Sequence, residues 1–140
     1  MSDIQTKLGI PPEIRKEFEM RDKAMSGGLK WTVTPATKST AATAAAWTRT
    51  VVVELQDAAG ARQTWYSAAI ANGVSIADTS NAGTASIPST TLTVTNGRAS
   101  IVVSGDAQAW LAAETDTLTV AQATILGQTV AAKTSVETFA

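Results

Sequence analysis

Apolar and polar positions alternate with a period of two over most of the chain, and most plainly over residues 92–104. Leu92 and Val94 alternate there with Thr91, Thr93 and Thr95; after Asn96-Gly97, Ala99, Ile101 and Val103 alternate with Arg98, Ser100 and Ser104. Two such runs joined by Asn-Gly predict a β-hairpin, because a two-residue type I′ turn needs positive φ at both central residues. One face of this hairpin is aliphatic and the other mostly hydroxyl. A lone hairpin is marginal in water, so the pattern calls for a second sheet against the aliphatic face.

The same period marks further strands. Residues 31–34 form a short one stopped by Pro35, and residues 37–46 are an aperiodic Ala/Thr/Ser tract that reads as a loop. Over 47–56, Trp47, Arg49, Val51, Val53 and Leu55 share one face, while Thr48, Thr50, Val52, Glu54 and Gln56 share the other. Asp57-Ala58-Ala59-Gly60 is a tight turn, followed by a return strand over 61–68 that places the adjacent Trp65 and Tyr66 on opposite faces. Asn72-Gly73 turns the chain into a strand at 74–77, and Pro88 marks an edge or corner. Residues 107–114 read as a crossing loop plugged by Trp110 and Leu111. Strands over 115–125 and 129–138 flank a turn at Gly127. Eight or nine short strands with turns about every 10 residues predict an all-β, antiparallel sandwich, either a jelly roll or an Ig-like Greek key.

Only the N-terminal segment breaks the period of two. Pro11-Pro12 and Glu13 suit a helix start, and Ile10, Ile14 and Phe18 recur every four residues, so the spacing predicts an amphipathic helix over 11–25. Ser26-Gly27-Gly28 ends it as a flexible joint. The chain divides into an arm, residues 1–29, and a sandwich, residues 30–140. The arm reads either as a helix packed on its own sandwich, as one that docks on another subunit, or as a disordered leader.

Charge sharpens this division. The net charge is -1, yet residues 1–30 hold 11 of the charged side chains and the remaining 110 residues only 12. That is about 11% of the body, against ~25% in ordinary soluble domains. So thinly charged a surface is either hydroxyl-coated or covered by neighbours. The near-neutral balance gives no reason to expect nucleic acid, and no stretch suggests a signal peptide or a membrane span.

Histidine and cysteine are both absent, which excludes imidazole- and thiol-based nucleophiles and zinc sites built on those ligands. Well inside the body, besides Glu54, stand Asp57, Asp78, Asp106, Glu114 and Asp116, four of them in or beside turns where aspartate ordinarily serves local amides. Glu114 and Asp116 could share a face and bind calcium, although no EF-hand spacing accompanies them. Catalysis is not expected, and no cofactor. The tryptophans Trp31, Trp47, Trp65 and Trp110 read first as core and end-plugs. Trp31 and Trp47 flank the Ala/Thr tract and are the best placed to meet a partner.

LQDAAG at 55–60, TLTVTNGRASIVV at 91–103 and TLTVAQATI at 117–125 resemble the bacterial Ig-like and jelly-roll modules of tailed-phage virions. With the Ala/Thr-rich, histidine- and cysteine-free composition and the charged arm, the chain is similar to the capsid cement (decoration) proteins of those phages. The resemblance spans residues 47–139. It implies a non-enzymatic virion protein on the capsid exterior, assembled in the host cytoplasm. Its partners would be the major capsid protein and itself, as a dimer or trimer. Ile10, Ile14 and Phe18 would dock the arm, with the Thr-rich sheet face as a second contact. The rival expectation is a carbohydrate- or receptor-binding module of a phage tail or adhesin, working through Tyr66, Trp47 and Trp110.

Overall fold

Twelve strands make up the described part of the chain, residues 18–22 and 27–140 of the computed structural model. They are β1 (Leu29–Thr34), β2 (Thr37–Thr40), β3 (Trp47–Asp57), β4 (Ala68–Ile70), β5 (Val74–Asp78), β6 (Ala85–Ser86), β7 (Leu92–Val94), β8 (Arg98–Gly105), β9 (Thr115–Val120), β10 (Ala123–Ile125), β11 (Gln128–Val130) and β12 (Lys133–Phe139). Eight of them form two four-stranded sheets, in the orders β1-β3-β8-β6 and β2-β12-β9-β5, while β4-β7 and β10-β11 are two-stranded. All pairings are antiparallel except β2 with β12, which is parallel.

The alternation seen in the sequence sets which residues face inward. On β3 the series Arg49, Val51, Val53, Leu55 and Asp57 is buried, while Thr48 and Thr50 are exposed. On β8 the buried series is Ala99, Ile101, Val103 and Gly105, and on β9 it is Asp116, Leu118 and Val120. Trp31, Val51, Leu55, Leu118, Val120 and Trp110 belong to one buried cluster fed by both large sheets. The molecule is therefore an all-β body whose two principal sheets share a core.

Several expectations need correction. The aperiodic tract at 37–46 contains β2, which pairs with β12 in four register steps from Thr37↔Val136 to Thr40↔Phe139. The tract lacks alternation because β2 is an edge strand with little to bury. The single strands expected at 115–125 and 129–138 are each broken in two, with the Leu126-Gly127 turn joining β10 to β11. No strand occupies 61–67, where residues 64 and 65 are in a turn.

The hairpin at 92–104 is right in its turn and wrong in its ladder. Asn96 and Gly97 have φ of 51° and 77°, and Thr95 and Arg98 exchange backbone hydrogen bonds of 2.9 and 3.1 Å. Beyond that one pair, β7 leaves to pair with β4 and β8 pairs with β3. The 63–67 loop packs against the turn: Gly97 N donates to Tyr66 O at 2.7 Å, and Asn96 N donates to Ser67 Oγ at 3.0 Å. A Cβ on Gly97 would lie 2.5 Å from Gln63 O, so this close approach requires glycine as much as the positive φ does.

Residues 18–22 are helical. The rest of the predicted helix, with Ile10 and Ile14, lies outside the described residues. Arg21 places its guanidinium carbon 5.0 Å from the centre of the Trp65 ring. Among the described residues, no helix is long and apolar enough to cross a membrane.

Candidate interaction surface

Strands β2, β12, β9 and β5 are each too polar on one side to be buried on both, and register aligns their polar sides. Three rows of side chains cross the outer face. Ser75, Thr119 and Thr134 form the first, and Ala77, Thr117, Val136 and Thr37 the second. Thr115, Thr138 and Ser39 form the third, extended by Thr79, whose hydroxyl lies 3.3 Å from that of Thr115. None of these positions carries a charge. Hydroxyl and methyl groups without charge make a surface that desolvates far more cheaply than one of lysine and glutamate.

The other large sheet separates its charges. Its outer face carries Thr48, Thr50, Ser100, Val102 and Ser104 at one end and Lys30, Glu54 and Arg98 at the other, where Arg98 Nε lies 3.2 Å from Glu54 Oε2. Val102 is 41% exposed.

Beneath the threonine face, on the inward side of the same four strands, register lines up Lys38, Glu137, Asp116 and Asp78. Arg49 reaches them from β3 in the opposite sheet. Its Nε and Nη2 donate to Asp116 Oδ1 at 3.0 and 2.5 Å, and its Nη1 donates to Ser135 Oγ at 2.8 Å. Arg49 Nε also lies 3.0 Å from Glu137 Oε2, off the N–H direction, so that oxygen gains an ion pair without a hydrogen bond. Thr40 Oγ1 donates to Glu137 Oε1 at 2.5 Å. The side chains of Arg49, Asp116 and Glu137 are all at or below 1% exposure, so the pairing is desolvated. Burial pushes the Asp116 carboxyl up to about 6; Arg49 opposes that shift and Glu137 adds to it.

The alternation puts Arg49 on one face with Val51, Val53 and Leu55 but names no partner for it. A signal was present: Asp116 stands in phase with Leu118 and Val120, and Glu137 in phase with Phe139. An arginine and two acids at core positions of three strands must meet, because a buried charge left alone is prohibitively costly. Glu114, the calcium-pair candidate with Asp116 by sequence, has a separate task. It accepts from Leu111 N, Asn81 N and Ser80 Oγ at 2.5, 3.0 and 3.2 Å, and the backbone bonds hold its carboxyl below the ordinary range. Asp57 serves its own turn as expected, accepting from Ala59 N and Ala61 N at 2.9 Å.

The aromatics fall in two groups. Trp47, Trp110 and Phe139 plug one end of the core, with ring centres 5.1–5.5 Å apart. Trp110 is fully buried and Trp47 is half-buried, its indole occupying the space a Cβ on Gly105 would need. Trp31 is fully buried as well, paired across strands with Leu55, which removes it from any contact surface. The expectation that Trp31 meets a partner is thus corrected: inward alternation on β1 puts it in the core. Leu111, expected to plug the crossing loop beside Trp110, is 58% exposed. Trp65 and Tyr66 do not oppose each other across a strand; the turn at 64–65 brings them edge to face, 5.7 Å apart and both half-buried. Phe18 is 37% exposed. Of the residues named for partner contact, Phe18, Trp47 and Tyr66 keep some exposure, and they are not brought together in one ring cluster.

Among the described residues no group of three or more acidic, histidine or cysteine side chains is arranged to hold a metal. No protein-family model matches the chain, and no curated protein matches it.

Proposed function

We propose that this chain is a structural virion protein that cements neighbouring major capsid subunits on the outside of a phage head, acting by contact and as a homo-oligomer. The observation that carries the reading is the outer face of β2-β12-β9-β5, three cross-strand rows of threonine, serine, alanine and valine without a charge. A lattice protein repeats one contact many times, so each contact can be weak, and a neutral hydroxyl face that loses water cheaply suits that regime. The concentration of charge in residues 1–30 supports the same division of labour, with the arm as a second, amphipathic contact.

The strand orders favour the Ig-like Greek key over the jelly roll. The orders β1-β3-β8-β6 and β2-β12-β9-β5 are similar to the two-sheet order of Ig domains if the first strand is divided between the sheets at Pro35, which supports that reading.

Co-sedimentation with emptied, expanded phage heads tests the proposal. The full chain is expected to pellet with heads. Thr117→Lys, which puts one charge at the centre of the neutral face, is expected to weaken binding at least tenfold while the melting temperature moves little, since Thr117 is half-buried on the outward side of β9, where a lysine stem can carry its charge to solvent. Removing residues 1–28 is expected to reduce binding further. Full binding by both variants would refute the assignment.

A further inference from the structure

We propose that Asp116 and Glu137 hold one proton between Asp116 Oδ2 and Glu137 Oε2, and that this shared proton makes the joint between the two sheets pH-responsive, tighter in mild acid than at neutral pH. The inference is independent of the capsid reading. Asp116 and Glu137 are direct cross-strand neighbours on β9 and β12, and both side chains point inward. Directly opposed residues have Cβ atoms ~5 Å apart, which puts two carboxyl groups within reach of each other. One guanidinium serves both acids, and its hydrogen bonds go to Asp116 Oδ1 and to Ser135. Each acid is left with one buried oxygen that has no hydrogen-bond partner, Asp116 Oδ2 and Glu137 Oε2. A single proton would satisfy both atoms at once, in the manner of two carboxyl groups that share a site and cannot both ionise.

The surrounding groups do not supply another remedy. From β2, Lys38 stands 4.0 Å from Glu137 Oε1, with its side chain 41% exposed and therefore screened. From β5, Asp78 adds a third acid to the row, its Oδ2 engaged by Ala85 N at 3.0 Å. From β8, the residue paired with Arg49 is Val103. The local balance is thus one buried cation and one half-exposed one against three acids, an arrangement that favours retention of a proton.

Burial pushes the Asp116 carboxyl up to about 6 from an ordinary 3.8, so its contribution to stability is complete below the ordinary value and is lost as pH rises through about 6. Glu114, held below its usual range, acts in the opposite direction and only in more acidic solution, so it leaves the window from pH 4.5 upward clear.

The test is thermal unfolding of the full chain between pH 4.5 and 7.5, for wild type and Asp116→Asn, with carboxyl-carbon NMR of aspartate-labelled wild type. The wild-type melting temperature is expected to fall roughly 5–10 °C across that range. Asp116→Asn keeps an oxygen for Arg49 and offers Glu137 a permanent N–H donor. It is expected to lose the slope and, at pH 7.5, to melt no lower than wild type. One aspartate carboxyl is expected to titrate near pH 6. A flat or rising wild-type profile, an unchanged slope in the variant, or all aspartates titrating near 4 would overturn the proposal. The NMR arm decides the matter even if the variant does not fold.

Discussion

Arg49→Met will destabilise the fold by about 3–5 kcal/mol at neutral pH, the range seen when one partner of a buried ion pair is removed. Methionine fills much of the arginine stem's volume, so the loss comes from the carboxylates left behind. Asp116 loses both of its charge-assisted hydrogen bonds, and Glu137 its ion pair, where both side chains are at or below 1% exposure. Two further results distinguish this cause from simple loss of packing. The deficit should shrink as pH falls, because protonation removes the unpaired charges. Arg49→Met combined with Asp116→Asn and Glu137→Gln should recover a large part of it, since a neutral cluster no longer buries uncompensated charge. Urea midpoints at pH 5 and 7.5 measure both effects; a deficit that is the same at both pH values would show that the guanidinium matters only for its bulk.

Trp110→Ala should be as damaging, about 3–5 kcal/mol, for an unrelated reason. Trp110 is fully buried against Trp47 and Phe139, and its indole Nε1 donates to Asp106 O at 3.2 Å. Its backbone is also tied to Thr43 by hydrogen bonds of 2.8 and 3.1 Å. Removing the ring opens a cavity at the end of the core that these fixed strands cannot close. Gly83 tests the same packing from outside: an added Cβ would lie 2.3 Å from the indole, so Gly83→Ala should cost about 1–3 kcal/mol by overpacking. Chemical denaturation followed by near-ultraviolet circular dichroism, which reports the indole environment, checks both.

Alternation alone made the all-β class legible, because a strand with one buried face must repeat every two residues, and β3, β8 and β9 do so without interruption. The turns at Asp57-Gly60 and Asn96-Gly97 were legible for local reasons, hydrogen bonding by aspartate and tolerance of positive φ. What alternation could not reveal was pairing. β2 has no pattern of its own and exists through its parallel ladder with β12, some 100 residues away in the chain. The strands of the 92–104 hairpin part company because β7 pairs with β4 and β8 with β3, partners that no local window contains. The candidate surface was half legible: the threonines were evident, whereas their assembly into three neutral rows depends on register. The ionic cluster was hidden for a similar reason, since its members come from three strands and only their shared inward phase links them.

The parallel alignment of β2 and β12 also has a mechanical consequence. Tension applied between the N-terminal side of the body and the end of β12 draws these neighbours past each other lengthwise. The ladder from Thr37↔Val136 to Thr40↔Phe139, with the Ala140 N to Thr40 O and Ala42 N to Ala140 O bonds of 2.8 and 3.0 Å, then resists in shear, all rungs strained together and none peeled first. Under the capsid role proposed above, a body tethered through its arm to a shell would carry the load along this shear-resisting seam.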